Sequence, residues 1–352
     1  MTMQPMPRPR RQLQVDRVTL AHGGGGTAMR DLVEDVFVSA FSASEAALED
    51  QARISLADLA TSGDRLAFTT DGFVVDPLFF PGGDIGKLAV YGTVNDLAVG
   101  GAIPRLLSCA VVIEEGMAIE TLRRIARSMA AAAAEAGVAI VTGDTKVVPH
   151  GACDKIFITT SGVGVVRHGI EVGIGRARPG DVILVNGLLG DHGAAILNAR
   201  GDLALDSPVE SDCASLAGLI ADLLGAAPGT RMMRDATRGG LAAVLNELAE
   251  ASNVGITVRE TDVPLRPAVR GFCEILGLDP LYLANEGKLV AVVPPEQAAA
   301  ALAALRAHPL GTESCAIGTV TEGKVGRVIM ETAFGGHRIV DMLVGDQLPR
   351  IC

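Results

Sequence analysis

Acidic residues and lysines at the ends of apolar, glycine-rich stretches are where this 352-residue chain can do chemistry. Asp71 follows a β-rich run, Asp84 comes after Gly82-Gly83 at the start of a helical segment, and Asn95-Asp96 lies inside that segment. Asp144 and Lys146 are two positions apart at the end of a strand-like run, hence on one face. Each acid alone reads equally as a helix cap, a turn residue or part of a solvated face. Together with a lysine, on neighbouring Gly-rich ends, they suit a hard cation such as Mg²⁺, which takes carboxylate oxygens and shares its remaining positions with a polyphosphate. Lysine usage points the same way, because the chain has 25 Arg and only 5 Lys. Three of the lysines, Lys87 in GGDIGK, Lys146 in GDTK and Lys288 in NEGK, adjoin turns where a point charge can meet phosphate or have its proton affinity tuned.

Two further segments are candidates for anion binding. In MRDATRGGLAAVLNELAE (233–250), Asp235 reads as an N-cap, Gly239-Gly240 leaves the first-turn N–H groups bare, and Arg238 stands ready to clamp a phosphate. A capped amphipathic helix with glycines for close packing is the equal alternative. The run Gly23–Gly26 in AHGGGGTAMRDL fits neither the dinucleotide fingerprint nor the P-loop; it suits a flap over a nucleotide, and His22 beside it reads as a bystander.

These residues need a frame. At 49% hydrophobic and 3% aromatic with no Trp, the core must be built from Ala, Val, Leu and Ile, which suits α/β packing. Residues 64–75, 137–148 and 154–166 read as strands, and 84–102 and 121–136 as helices, the second stopped by Gly137. The Gly-, Arg- and Pro-rich text near residue 170 marks a domain boundary, after which strand and helix patterns resume in KLVAVVP, GITVRE and LAAVLNELAEAS. The expectation is a leader over 1–14, domains over 15–170 and 171–344, and a tail over 345–352. A formal charge of −11 argues against nucleic-acid or anionic-membrane surfaces. Neither a membrane span nor a secretion signal is legible, so a cytoplasmic protein is expected.

The six cysteines fall at 109, 153, 213, 273, 315 and 352, never closer than 37 positions, so no CxxC knuckle or redox pair forms. Five read as small core residues of a reducing compartment. Cys352 differs, because a terminal residue is rarely buried.

The segments AHGGGGTAM, TTDGFVVDPLFFPGGDIGKLAVYGTVNDLAVGGAIP, IVTGDTKVV, LLGDHGAAIL, RDATRGGLAAVLNE and NEGKLV, with the ending PRIC, resemble the HypE family of hydrogenase maturation factors over nearly the whole chain from about residue 15. That family shares a superfamily with aminoimidazole ribonucleotide synthetase, selenophosphate synthetase and thiamine-monophosphate kinase. The resemblance implies a two-domain PurM-like fold: an N-terminal α/β domain that dimerises and binds ATP near the dimer interface, a C-terminal α+β domain, and a mobile tail. It implies a carbamoyl dehydratase that uses ATP and Mg²⁺ to convert an S-carboxamide on the terminal cysteine into a thiocyanate. The carboxamide comes from the carbamoyltransferase HypF, and the cyano group goes to iron on a HypC–HypD scaffold.

By the same resemblance, Cys352 carries the substrate, and Asp84, Asp96 and Asp144 serve Mg²⁺ and phosphate, supported by Asp71 and Asp235. Asn95, Thr145, Arg238 and Gly239 contact the nucleotide. Lys146 faces the γ-phosphate or assists proton transfer, and Glu286 of NEGK positions or deprotonates the carbamoyl nitrogen. The eight residues Gly345 to Cys352 reach about 25 Å when extended, enough to swing between a partner's active site and the chain's own. Selenophosphate synthetase would want a cysteine or selenocysteine in the glycine-rich segment, which has none here, and a purine-pathway synthetase has no use for a terminal one. A non-catalytic scaffold would leave the acids and lysines unemployed.

Overall fold

The computed structural model describes residues 12–42, 51–201, 209–323 and 325–343. The tail with Cys352 and most of the leader lie outside the described residues.

In the N-terminal half, α1 (Thr27–Leu32) runs through a π-helical turn into α2 (Ser39–Phe41), and α3 (Leu56–Ala60) leads into β1 (Gly63–Phe73). A ribbon of β2 (Phe79–Phe80) and β3 (Gly83–Asp84) opens α4 (Ile85–Val99), followed by β4 (Ala102–Glu114), α5 (Ile119–Ala136), β5 (Ala139–Val148) and β6 (Ile156–Arg167). The four long strands form one sheet in the order β1-β6-β4-β5. Only β4 and β5 are parallel, with α5 between them in sequence as a βαβ unit. Gly137 takes the left-handed C-cap conformation at φ 69°, as its place after the Ala-rich helix predicts.

The central strand β4 is the element that hydrophobic periodicity does not reveal. Pro104 and Arg105 interrupt its apolar run, and the register against β6 slips between Pro104 and Leu106, so the proline sits at a bulge. The helix expected over 84–102 accordingly stops at Val99, and Gly100-Gly101 turns the chain into β4.

The second half contributes β7 (Val182–Val185), α6 (Asp191–Ala199), α7 (Ala217–Ala226), β8 (Met232–Asp235), α8 (Gly240–Ala251), β9 (Gly255–Arg259), α9 (Pro267–Leu276), β10 (Leu289–Val293), α10 (Ala298–Ala307), β11 (Cys315–Thr321), β12 (Arg327–Glu331) and β13 (His337–Ile339). Seven of these strands make a mixed sheet in the order β13-β12-β9-β11-β7-β10-β8. All five residues of β10 are buried, as the unbroken run LVAVV demands of a strand covered on both faces.

Helix α4 joins the two halves. It is apolar nearly all round and buried at thirteen positions, the pattern of a helix covered on every side. It packs on β1, β6, β4 and α5 and reaches β8 and α7 of the second half. Tyr91 and Thr93 bond within the N-terminal half, to Glu135 and Thr160, whereas Asn95 and Asp96 near the end of the helix lie at the junction between the two halves.

Candidate active site

The pocket lies at that junction. It is a cavity of about 190 Å³ lined by Thr70, Asp71 and Phe73 of β1, Gly92 and Asp96 of α4, Asp235 of β8, Thr237 and Arg238 of the following loop, and Glu286. A Cβ on Gly92 would come within 2.8 Å of the Phe73 ring, so that glycine keeps the wall beside Asp71 open. At the other end Gly240, with φ 58°, brings the start of α8 so close to the Leu283 carbonyl that a Cβ there would lie 2.5 Å from it.

Four carboxylates, of Asp71, Asp96, Asp235 and Glu286, face this space beside Arg238, the single cation among the described lining residues. Asp96 accepts a hydrogen bond from Thr69 Oγ1 at 3.0 Å, yet burial, reinforced by Asp71, raises its pKa above the ordinary carboxylate value. Burial and then the Asp96 charge push Asp235 up to about 7. Arg238 reaches Asp71 Oδ1 at 3.6 Å, but its side chain is 69% exposed, so it is available to a ligand. Glu286 is 3% exposed, and its Oε1 has no hydrogen-bond partner among the described residues. Burial first, then Asp212, Asp235 and Asp71, lift its pKa well above normal.

The structure thus gathers Asp71, Asp96, Asp235, Arg238 and Glu286 at one cavity, with Gly239 immediately beyond. Asp235 is not the N-cap of α8: it ends β8, and Gly239 caps the helix at φ 74°, so the Asp235 carboxyl is free for the pocket. The other expected residues stand elsewhere. Asp84 caps α4, accepting from the N–H groups of Gly86 and Lys87 and from Ser128 Oγ, which occupies both its oxygens. Asn95 is a third of a helical turn away from Asp96 and points into the protein, donating to the carbonyls of Ala214 and Glu286 and accepting from Leu216 N–H. Asp144, Thr145 and Lys146 lie on the sheet's edge strand β5. There Lys146 Nζ sits 2.8 Å from Asp144 Oδ2 and holds that carboxyl below its usual range. Asp84, Asp96 and Asp144 therefore do not converge, and among the described residues no three His, Cys, Asp or Glu side chains are placed to hold a metal ion.

Sequence reasoning did not single out Thr69, Thr70 or Asp212. Thr69 was legible in TTDGF, where strand alternation puts it on the face of Asp71; Thr70 falls on the opposite face by the same alternation and was not. Nothing in the polar text around residue 212 announces a buried acid. The glycine run contributes packing: a Cβ on Gly23 would meet Val147 of β5 at 2.9 Å.

Comparison with known proteins fits this architecture. The model of the AIR synthase related protein N-terminal domain matches residues 48–166, and that of its C-terminal domain matches residues 178–331. The carbamoyl dehydratase HypE of Rhodobacter capsulatus is 64% identical over 340 residues, covering 97% of this chain and 99% of the relative. The crystal structure of a HypE in complex with ATP superposes with a TM-score of 0.89 at 50% identity, covering 95% of this chain and 99% of that one. HypE in a HypE–HypF complex gives 0.77 at 49% identity over 79% of this chain and 90% of that one. With that identity sustained from end to end and both domain models matched in order, this chain belongs to the HypE family of carbamoyl dehydratases.

Proposed function

We propose that this chain dehydrates an S-carboxamide carried on its own Cys352 to a thiocyanate at the cost of ATP, and that HypF supplies the carbamoyl group. The observation that carries the reading is the cavity in which the carboxyl of Glu286, its Oε1 without a hydrogen-bond partner among the described residues, meets Asp71, Asp96, Asp235 and Arg238. An amide oxygen is a very poor leaving group. Transfer of the γ-phosphoryl group to it, with loss of one proton from nitrogen, gives an O-phosphorylated imidate. Expulsion of phosphate with the second proton leaves S–C≡N, ADP and phosphate. Glu286, a buried base of raised proton affinity, is placed to take a proton from nitrogen. The HypC–HypD scaffold is the proposed acceptor of the cyano group.

At about 190 Å³ the cavity has room for the reacting end of a tail and a phosphate group, which puts the rest of the nucleotide outside it. The acids give a divalent cation charge to offset: Asp71, Asp96 and Asp235, two of them with raised proton affinity, concentrate negative charge that phosphates would worsen. Asp71, Asp96 and Asp235 are not placed to hold a metal ion by themselves, so a Mg²⁺ would be held chiefly by phosphate oxygens, with these acids around it, and would supply charge neutralisation. Asp96→Asn is expected to weaken binding of the Mg²⁺-nucleotide about tenfold or more in calorimetry. Unchanged affinity would remove Asp96 from the site.

The homodimer rests on the N-terminal sheet. Helices α4 and α5 cover one face; on the other, Leu66 and Phe68 of β1 are 59% and 72% exposed, with Val141 of β5 also exposed. Alternate apolar residues on an uncovered sheet face mark an association surface. Asp144, Thr145 and Lys146 belong to the same sheet, and we place them near a nucleotide bound close to that interface. Leu66→Asp combined with Phe68→Asp should halve the mass seen by light scattering; a variant that keeps the wild-type mass contradicts this surface.

Function itself is tested by intact mass. Incubation with HypF, carbamoyl phosphate and ATP should add a carboxamide to the chain and then remove one water. A chain that gains the carboxamide and never loses water would refute the dehydratase reading.

A further inference from the structure

Glu286 is held by an arrangement that stability alone does not call for. Its N–H donates to Asp212 Oδ1 at 3.0 Å, and the next N–H, of Gly287, donates to Asp212 Oδ2 at 3.2 Å. Lys288 Nζ lies 3.1 Å from the same carboxylate, and the two side chains are only 12% and 3% exposed. Burial works to raise the Asp212 pKa, but Lys288 and the Glu286 N–H outweigh it and keep the group ionised. Asn95 of α4 donates toward the Glu286 carbonyl, and Asn186 donates to that of Gly287 at 3.2 Å. The Asp212 loop is itself fixed to the N-terminal half, where Ser211 N–H donates to the Pro81 carbonyl at 2.8 Å.

Every backbone polar group of Glu286 and Gly287 is therefore engaged, while the Glu286 Oε1 has no partner among the described residues. A buried ion pair of this kind is at best marginally better for stability than a packed apolar pair. What it does provide is a fixed direction: a carboxylate with two acceptor oxygens anchors two successive N–H groups, and the lysine stops that carboxylate from turning. Neither group lines the cavity.

We propose that the Asp212–Lys288 ion pair is a positioning element for catalysis, locking the Glu286-Gly287 backbone so that the Glu286 carboxyl is aimed into the cavity. This rests on the dehydratase reading above for what Glu286 does, but not for where it points. The pair acts through Glu286 and touches no substrate.

The test compares Asp212→Asn with the double variant Asp212→Asn/Lys288→Met in the full-length chain. The single change leaves the Lys288 ammonium buried and unpaired, so it lowers the melting temperature. The double change removes both charges and restores it. A positioning role predicts that single-turnover dehydration of the preformed carboxamide stays slow in the double variant, about 100-fold below wild type, at unchanged nucleotide affinity. It also predicts a crystal structure in which the Glu286 carboxyl has turned away from Asp71 and Asp235. A purely structural role predicts that rate and melting temperature recover together; a double variant within about twofold of the wild-type rate, or with Glu286 in place, overturns the proposal. Failure of the dehydratase reading would instead show in the wild type, as no thiocyanate at all, and the orientation of Glu286 would still decide the inference.

Discussion

Cys352→Ala should eliminate the thiocyanate product completely while leaving nucleotide affinity unchanged. The argument runs through the other five cysteines. A carbamoyl group is accepted by a thiolate, and burial raises the pKa of each of those thiols: Cys109 to about 12 and Cys273 to about 11, with Cys153, Cys213 and Cys315 displaced in the same direction. Cys213 approaches the acidic cluster most closely, and there Glu286 and Asp212 add to the effect of burial. None of the five is available as a thiolate near neutral pH, so no neighbour can stand in for the lost sulfur. The nucleotide, by contrast, is expected to be bound by acids, Arg238 and backbone groups that the substitution does not touch. Intact mass after incubation with HypF, carbamoyl phosphate and ATP measures the first effect and calorimetry the second. A cyanated Cys352→Ala chain would mean that the reacting sulfur lies elsewhere.

The division between what sequence disclosed and what it did not follows from the range of the forces involved. Gly137 as a C-cap, the buried run of β10 and the helix over 240–251 are local events, decided by a few neighbouring residues, and local patterns announce them. The β4 strand escaped because its pairing partners, not its own periodicity, define it; a proline at a bulge is tolerated only when flanking strands already fix the register. The two aspartates of α4 separate for a similar reason. Asp84 and Asp96 belong to one helix and one quoted motif, yet the first is consumed by capping and the second is delivered to the junction with β8.

Family resemblance pointed to all five acidic and basic residues of the cavity but placed them in a wider set than the structure brings together. Asp71, Asp96, Asp235, Arg238 and Glu286 come from β1, α4, β8, the loop before α8 and the turn before β10, so their meeting is a property of the two sheets packed around one helix. Asp212 could not have been found by any motif, because its role depends on two N–H groups more than seventy residues away in sequence.

Glu286→Gln separates chemistry from folding most cleanly. The residue is 3% exposed, its Oε1 has no partner among the described residues, and burial together with Asp212, Asp235 and Asp71 raises its proton affinity. A group of that kind is a costly component of the resting protein and a strong base once it ionises. Because the folded pKa lies above the unfolded one, the stability it contributes is fully present below the ordinary carboxylate value and is lost as pH rises toward the folded value. Glutamine has the shape of the protonated form and no charge to titrate. The variant should therefore melt at or above the wild-type temperature in mildly alkaline buffer, with the difference vanishing at low pH. Its rate of dehydration from a preformed carboxamide should nevertheless fall by about 10²- to 10⁴-fold, the usual consequence of removing a positioned general base. Carbamoylation by HypF should proceed unchanged, so the intact mass should stall at the carboxamide. If the rate stays within about threefold of wild type, Glu286 is not the base; if rate and stability fall together, it serves the fold alone.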